Sequence, residues 1–113
     1  MRLVIDMQGA QTGSRYRGIG RYSMSLTKAI ARNRGRHELF LVLSGLFPET
    51  IDPIRAEFGD LLPQENIRVW NAIGPTRELD SNNQWRREVS ERIREAFLAS
   101  LQPDVIQIGR AHV

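Results

Sequence analysis

The residues best suited to chemistry lie near the start of the chain. Four glycines and three arginines fall between Asp6 and Tyr22, in the run Asp-Met-Gln-Gly-Ala-Gln-Thr-Gly-Ser-Arg-Tyr-Arg-Gly-Ile-Gly-Arg-Tyr. Gly18 and Gly20 precede a helical pattern and leave its first N–H groups uncovered. A helix N-terminus carries about half a positive charge together with free donors, a combination that suits a phosphate. Arg17 or Arg21 can add a fork of donors to the same anion. Glycine at this spacing also serves turn geometry, so spacing alone leaves both readings open. The dinucleotide fingerprint is incomplete. Ser23 occupies the place of its third glycine, and Leu43 is followed by Ser44 and Gly45 rather than by an acid that would hold a ribose.

Other polar and aromatic residues read more plainly. Asp6, at a strand end, can orient a sugar hydroxyl or cap loop N–H groups. Tyr22 falls on an apolar helix face and reads as core, as do Trp70 and Trp85. His37 lies between a helix end and a strand and reads as surface. The run Arg87, Glu88, Glu91, Arg92, Arg94 and Glu95 reads as a solvated face with four-residue ion pairs. No metal-ligand cluster, Ser-His-Asp set or pair of carboxylates can be assembled from the chain.

These residues are positioned by alternating strands and helices. Leu3-Val4-Ile5 and Leu39–Leu43 are continuous apolar runs, the pattern of buried parallel strands. Between them lies a polar loop from about Met7 to Arg17, then a helix with Ile19, Tyr22, Leu26, Ala29 and Ile30 on one face. Gly35 is suited to end that helix in the left-handed conformation. A short helix is expected from Pro48 to about Phe58, and a third strand at Ile67–Trp70. Ser81 and Gln84 resemble a capping box opening a last helix, whose inner face is Trp85, Val89, Ile93, Ala96, Phe97 and Leu101. Pro103-Asp104 ends it, and Val105-Ile106 begins a fourth strand. The fold class is therefore α/β, a Rossmann-like parallel sheet with helices on both faces. In such sheets ligands bind beyond the carboxyl ends of the strands, where strand order reverses.

Length and composition narrow the function classes. At 113 residues, 41% hydrophobic and 26% charged, the chain is one soluble α/β domain or part of one. No apolar stretch approaches the roughly 20 residues of a membrane span, and the N-terminus lacks the pattern of a secretory signal. The net charge is only +3, and no aromatic residues are interleaved with the arginines as base-stacking platforms, which argues against nucleic acid. The absence of cysteine fits the cytoplasm.

The last six residues, Ile108-Gly109-Arg110-Ala111-His112-Val113, match the translation of a common short-read sequencing adapter, ATC GGA AGA GCA CAC GTC. The expectation is a native segment over 1–107 followed by an adapter-derived tail over 108–113, which removes His112 as a candidate ligand or base.

Residues 1–22, and Arg17-Gly18-Ile19-Gly20-Arg21-Tyr22 above all, resemble the start of family-4 glycosyltransferases, especially bacterial mannosyltransferase-like members of surface polysaccharide assembly. Leu46–Ile51, Leu62–Val69 and Pro103-Asp104-Val105-Ile106 fit the same group. The resemblance implies the opening part of the N-terminal, acceptor-side Rossmann-like domain of a GT-B enzyme, with the C-terminal domain and its paired glutamates missing. It implies retaining, metal-independent transfer of a hexose, mannose being favoured, from a nucleotide-sugar such as GDP-mannose to a glycan or lipid-linked acceptor. No cofactor is implied. The loop of Gly18 and Gly20, with Arg17 or Arg21, would face the donor diphosphate, and Asp6, Gln11 and Arg15 are the acceptor-side candidates. Family members commonly carry histidine where this chain has Gln107. A histidine codon joined to adapter after its first base would give this glutamine. The fragment alone is expected to be inactive, and the enzyme to be cytoplasmic, with peripheral contact at the inner membrane face open. The alternative reading is a stand-alone, non-catalytic phosphate- or nucleotide-binding α/β module.

Overall fold

The structure, a computed structural model, describes residues 1–11, 18–71 and 84–108, with the side chains of 18–21 and 108 left aside. In chain order the elements are β1 (Arg2–Asp6), α1 (Gln8–Gln11), α2 (Gly18–Arg32), β2 (Glu38–Ser44), α3 (Pro48–Glu57), a 3-10 turn (Gln64–Asn66), β3 (Ile67–Trp70), α4 (Gln84–Ser100) and β4 (Val105–Ile108). The four strands form one parallel sheet in the order β3-β2-β1-β4.

The apolar runs explain why β1 and β2 are central. A strand covered by helices on both faces must be apolar at every position rather than at alternate ones. Leu39, Leu41 and Leu43 of β2 and Ile5 of β1 pack with Met7, Ala10, Ala31, Ile54 and Phe58 from the α1, α2 and α3 side. Val4, Phe40 and Val42 point to the opposite face and meet Trp70, Leu98 and Leu101. Helices thus lie on both faces of a parallel α/β sheet, α4 on one and α1, α2 and α3 on the other.

Arg2 fastens the far end of α4 to the sheet. Its Nη1 donates to Leu101 O at 2.6 Å, its backbone N–H to Asp104 Oδ2 at 2.6 Å, and its guanidinium lies 5.1 Å from the Phe40 ring centroid. Asp104 N–H returns a bond to Arg2 O at 2.9 Å. The bare carbonyl of Leu101, just past the helix end, is satisfied by a cation, which also suits the helix dipole.

Several expectations are corrected. The segment from Met7 is not all loop: Asp6 Oδ1 accepts the Gln8 N–H at 3.0 Å and starts a helical turn there. Tyr22 is 67% exposed and Trp85 54% exposed, so neither is core. Among the described side chains of α2, Thr27 and Ala31 are buried, with Met24 and Ile30 packed beside them. Thr27 can be buried because its hydroxyl donates back to Ser23 O at 2.7 Å, so the inward face is not purely apolar in sequence. On α4, Ser90, Arg94 and Leu98 are buried, as is Leu101 just beyond it, whereas Ala96 is exposed. Arg94 therefore does not belong to a solvated face.

Other expectations are met. Trp70 is buried and His37 exposed. Gly35 has φ +60°, in a turn closed by the His37 N–H to Arg34 O just beyond α2. The Ser81 capping box lies outside the described residues. So do 109–113, while Ile108 pairs with Asp6 at the end of β4. No described helix is long and apolar enough to cross a membrane.

Candidate functional site

The strand order locates the site. From β1 the chain moves outward through β2 to β3, then returns through α4 to place β4 on the other side of β1. Strand order reverses at β1, so the crevice that open α/β sheets use for ligands opens at its carboxyl end, where Asp6 lies.

Asp6 is fully buried and divided between two protein partners. Oδ1 accepts the Gln8 N–H at 3.0 Å, and Oδ2 accepts from Arg94 Nε at 2.8 Å. Arg94 is 3% exposed and reaches Glu91 Oε2 from Nη1 at 3.5 Å. Its Nη2 is buried without a partner among the described residues. A carboxylate and a guanidinium taken from water must hold each other, and here they join α4 to the carboxyl end of β1.

Gln11, on the opposite side of β1, is 1% exposed. Its Nε2 donates to Ser44 O at 2.9 Å and to Thr50 Oγ1 at 3.0 Å, and its Oε1 accepts the Ser44 N–H at 2.7 Å. The side chain joins α1, the end of β2 and the start of α3. Next to it, Gly45 donates its N–H to Trp70 O at 2.8 Å, a close approach that brings the ends of β2 and β3 together.

The sequence-derived site residues fall as follows. Asp6 and Gln11 lie at the carboxyl end of the sheet, both buried and both bonded to protein groups. Gly18 and Gly20 form the first turn of α2 rather than preceding it, and that turn carries no acidic residue. Arg21 follows them on the helix, its side chain not described. Arg15 and Arg17 lie outside the described residues.

The chain is 30% identical over 109 residues, 96% of its length, to the serotype-specific mannosyltransferase WbdA of Escherichia coli. The sequence is mannosyltransferase-like. Two further E. coli proteins of that name are 25% identical over 74% of the chain. The chain spans only 13% of the first of these relatives and 10% of the other two. No protein-family model matches the chain, and no solved structure matches it significantly.

Within this mannosyltransferase-like chain, sequence reasoning missed Arg94. Two signals pointed to it. A carboxylate ending an apolar strand, as Asp6 does, needs a buried donor or cation. Positions 90, 94, 98 and 101 also share one helix face, so an arginine among them lies inward with Leu98 and Leu101.

Proposed function

We propose that this chain is the acceptor-side, N-terminal α/β part of a family-4, GT-B glycosyltransferase. The enzyme is retaining and metal-independent, works in the cytoplasm or at the inner membrane face, and builds surface polysaccharide. Mannose moves from GDP-mannose to a glycan or lipid-linked acceptor, and no cofactor takes part. Similarity along nearly the whole chain to a bacterial mannosyltransferase is the observation that carries this reading. The strand-order reversal at Asp6 supports it, because it gives the sheet a crevice at the expected end.

The reaction breaks the bond between the anomeric carbon and the nucleotide diphosphate and forms one to an acceptor hydroxyl, which loses its proton. Negative charge grows on the departing diphosphate. The first turn of α2, with Gly18 and Gly20, offers backbone N–H groups and the positive end of a helix to that charge, and Arg17 or Arg21 adds donors. Leaving-group stabilisation by fixed dipoles is this chain's part of the work. The remaining groups come from the C-terminal domain of the same polypeptide.

The test compares two proteins in one assay. The complete polypeptide carrying this chain, and the 113-residue chain alone, are incubated with GDP-mannose and glycan or polyprenyl-linked acceptors. Transfer by the complete polypeptide and none by the chain alone is expected. Turnover by the chain alone would overturn the two-domain arrangement, and inactivity of the complete polypeptide with every nucleotide-sugar would overturn the transferase reading.

A further inference from the structure

The ion pair between Asp6 and Arg94 is costly to bury and incompletely satisfied. Both groups are almost wholly removed from water, and one Arg94 nitrogen has no partner among the described residues. Well-packed apolar residues commonly serve stability as well as a buried ion pair does, so stability alone gives little reason for this one. Its position is more informative. Asp6 ends the strand at which strand order reverses, and its second oxygen holds the first N–H of the turn that leads from β1 into the glycine segment.

We propose that Arg94 is a positioning residue. By holding Asp6 Oδ2 from α4, it fixes Oδ1 on the Gln8 N–H and so sets the direction in which the chain leaves β1 towards the first turn of α2. Arg94 is 3% exposed and acts through Asp6 rather than by touching substrate. Helix α4, on one face of the sheet, thereby governs the placement of the donor-facing backbone on the other. This rests on the transferase reading for what that backbone binds, and on geometry alone for the positioning.

The experiment uses the complete polypeptide with Arg94→Met and Arg94→Lys, far below their unfolding temperatures. Amide hydrogen exchange is followed by mass spectrometry, and KM and kcat are measured with GDP-mannose. In Arg94→Met, amides from Met7 to Gln11 and in the first turn of α2 should exchange about tenfold faster by local opening, beyond what the loss of global stability, read from the Leu41–Leu43 amides, accounts for. KM for the nucleotide-sugar should rise about tenfold with kcat little changed, and Arg94→Lys should recover part of both effects. Exchange in the β1–α2 segment that is unchanged, or no faster than the lost global stability accounts for, would overturn the proposal. An unchanged KM in a wild-type-active enzyme would do the same. Wild-type protein without transferase activity would refute only the function, since the exchange pattern still decides the positioning.

Discussion

Gln11 and Ser44 exchange hydrogen bonds as two paired strand residues would: the Gln11 amide donates to Ser44 O at 2.9 Å and accepts the Ser44 N–H at 2.7 Å. The side-chain amide thus extends the ladder beyond the point where Met7, bonded through its N–H to Val42 O, leaves the sheet. Backbone groups at a strand end need partners when buried, and here one side chain supplies both.

Removing that amide should be expensive. Gln11→Ala leaves Ser44 N–H without a partner and Ser44 O with only the long bond from the Phe47 N–H at 3.4 Å, and is expected to cost about 2–3 kcal/mol. Gln11→Glu should be no better, because a carboxylate cannot donate to Ser44 O. Urea unfolding of the three proteins gives the comparison, and a Gln11→Glu variant as stable as wild type would contradict it.

A double-mutant cycle on Asp6 and Arg94 should show strong coupling. Arg94→Met strands a buried carboxylate and is expected to cost about 3–5 kcal/mol. Adding Asp6→Asn removes the stranded charge, so the double variant should be at least about 1 kcal/mol more stable than additivity predicts. Additive losses would mean that the two side chains do not interact.

Gly45 and Gly35 are constrained by the fold for different reasons. A Cβ on Gly45 would lie 2.9 Å from Asn71 Oδ1 and 3.0 Å from Trp70 O, and the latter is backbone held by the Gly45 N–H. Gly35 has open space around it but a left-handed φ of +60°. Gly35→Ala should cost about 1 kcal/mol and Gly35→Asn less, since asparagine tolerates that conformation. At Gly45, alanine and asparagine should both destabilise, with no advantage for asparagine. Thermal melts of the four variants test the contrast.

The aromatic residues should separate by burial rather than by type. Phe58 is fully buried, and Phe58→Ala should cost about 3–5 kcal/mol. Tyr22→Ala and Trp85→Ala should each change stability by less than about 1 kcal/mol. Trp85 stands 5.4 Å from the Arg86 guanidinium, so its small loss should shrink further when Arg86 is also replaced. A large loss at Tyr22 would return that residue to the core.

If the first turn of α2 faces the donor diphosphate, charge beside it should matter for binding. In the complete polypeptide, Arg17→Ala and Arg21→Ala are expected to weaken nucleotide-sugar binding, the residue in contact losing roughly tenfold or more. Titration calorimetry with GDP and GDP-mannose reads this directly, and wild-type affinity in both variants would remove the arginines from the site.

Much of the architecture was legible in the amino-acid sequence. The unbroken runs at Val4-Ile5 and Leu39–Leu43 announce strands covered on both faces, because only such strands can be apolar at every position. Pro48 and the Pro103-Asp104 pair mark where elements start or stop. These signals are local, each residing in a residue and its chain neighbours. Which side of a helix turns inward is not local. Tyr22 and Trp85 are apolar enough to be core yet lie outside, while Thr27 and Arg94 lie inside, the one bonded one turn back to Ser23 O and the other to Asp6. Asp6 and Arg94 are 88 residues apart, and Gln11 and Ser44 are 33 apart. Burying a polar group is tolerable only with a partner, and that partner is supplied by tertiary folding, so the polar framework beneath the site was decided there.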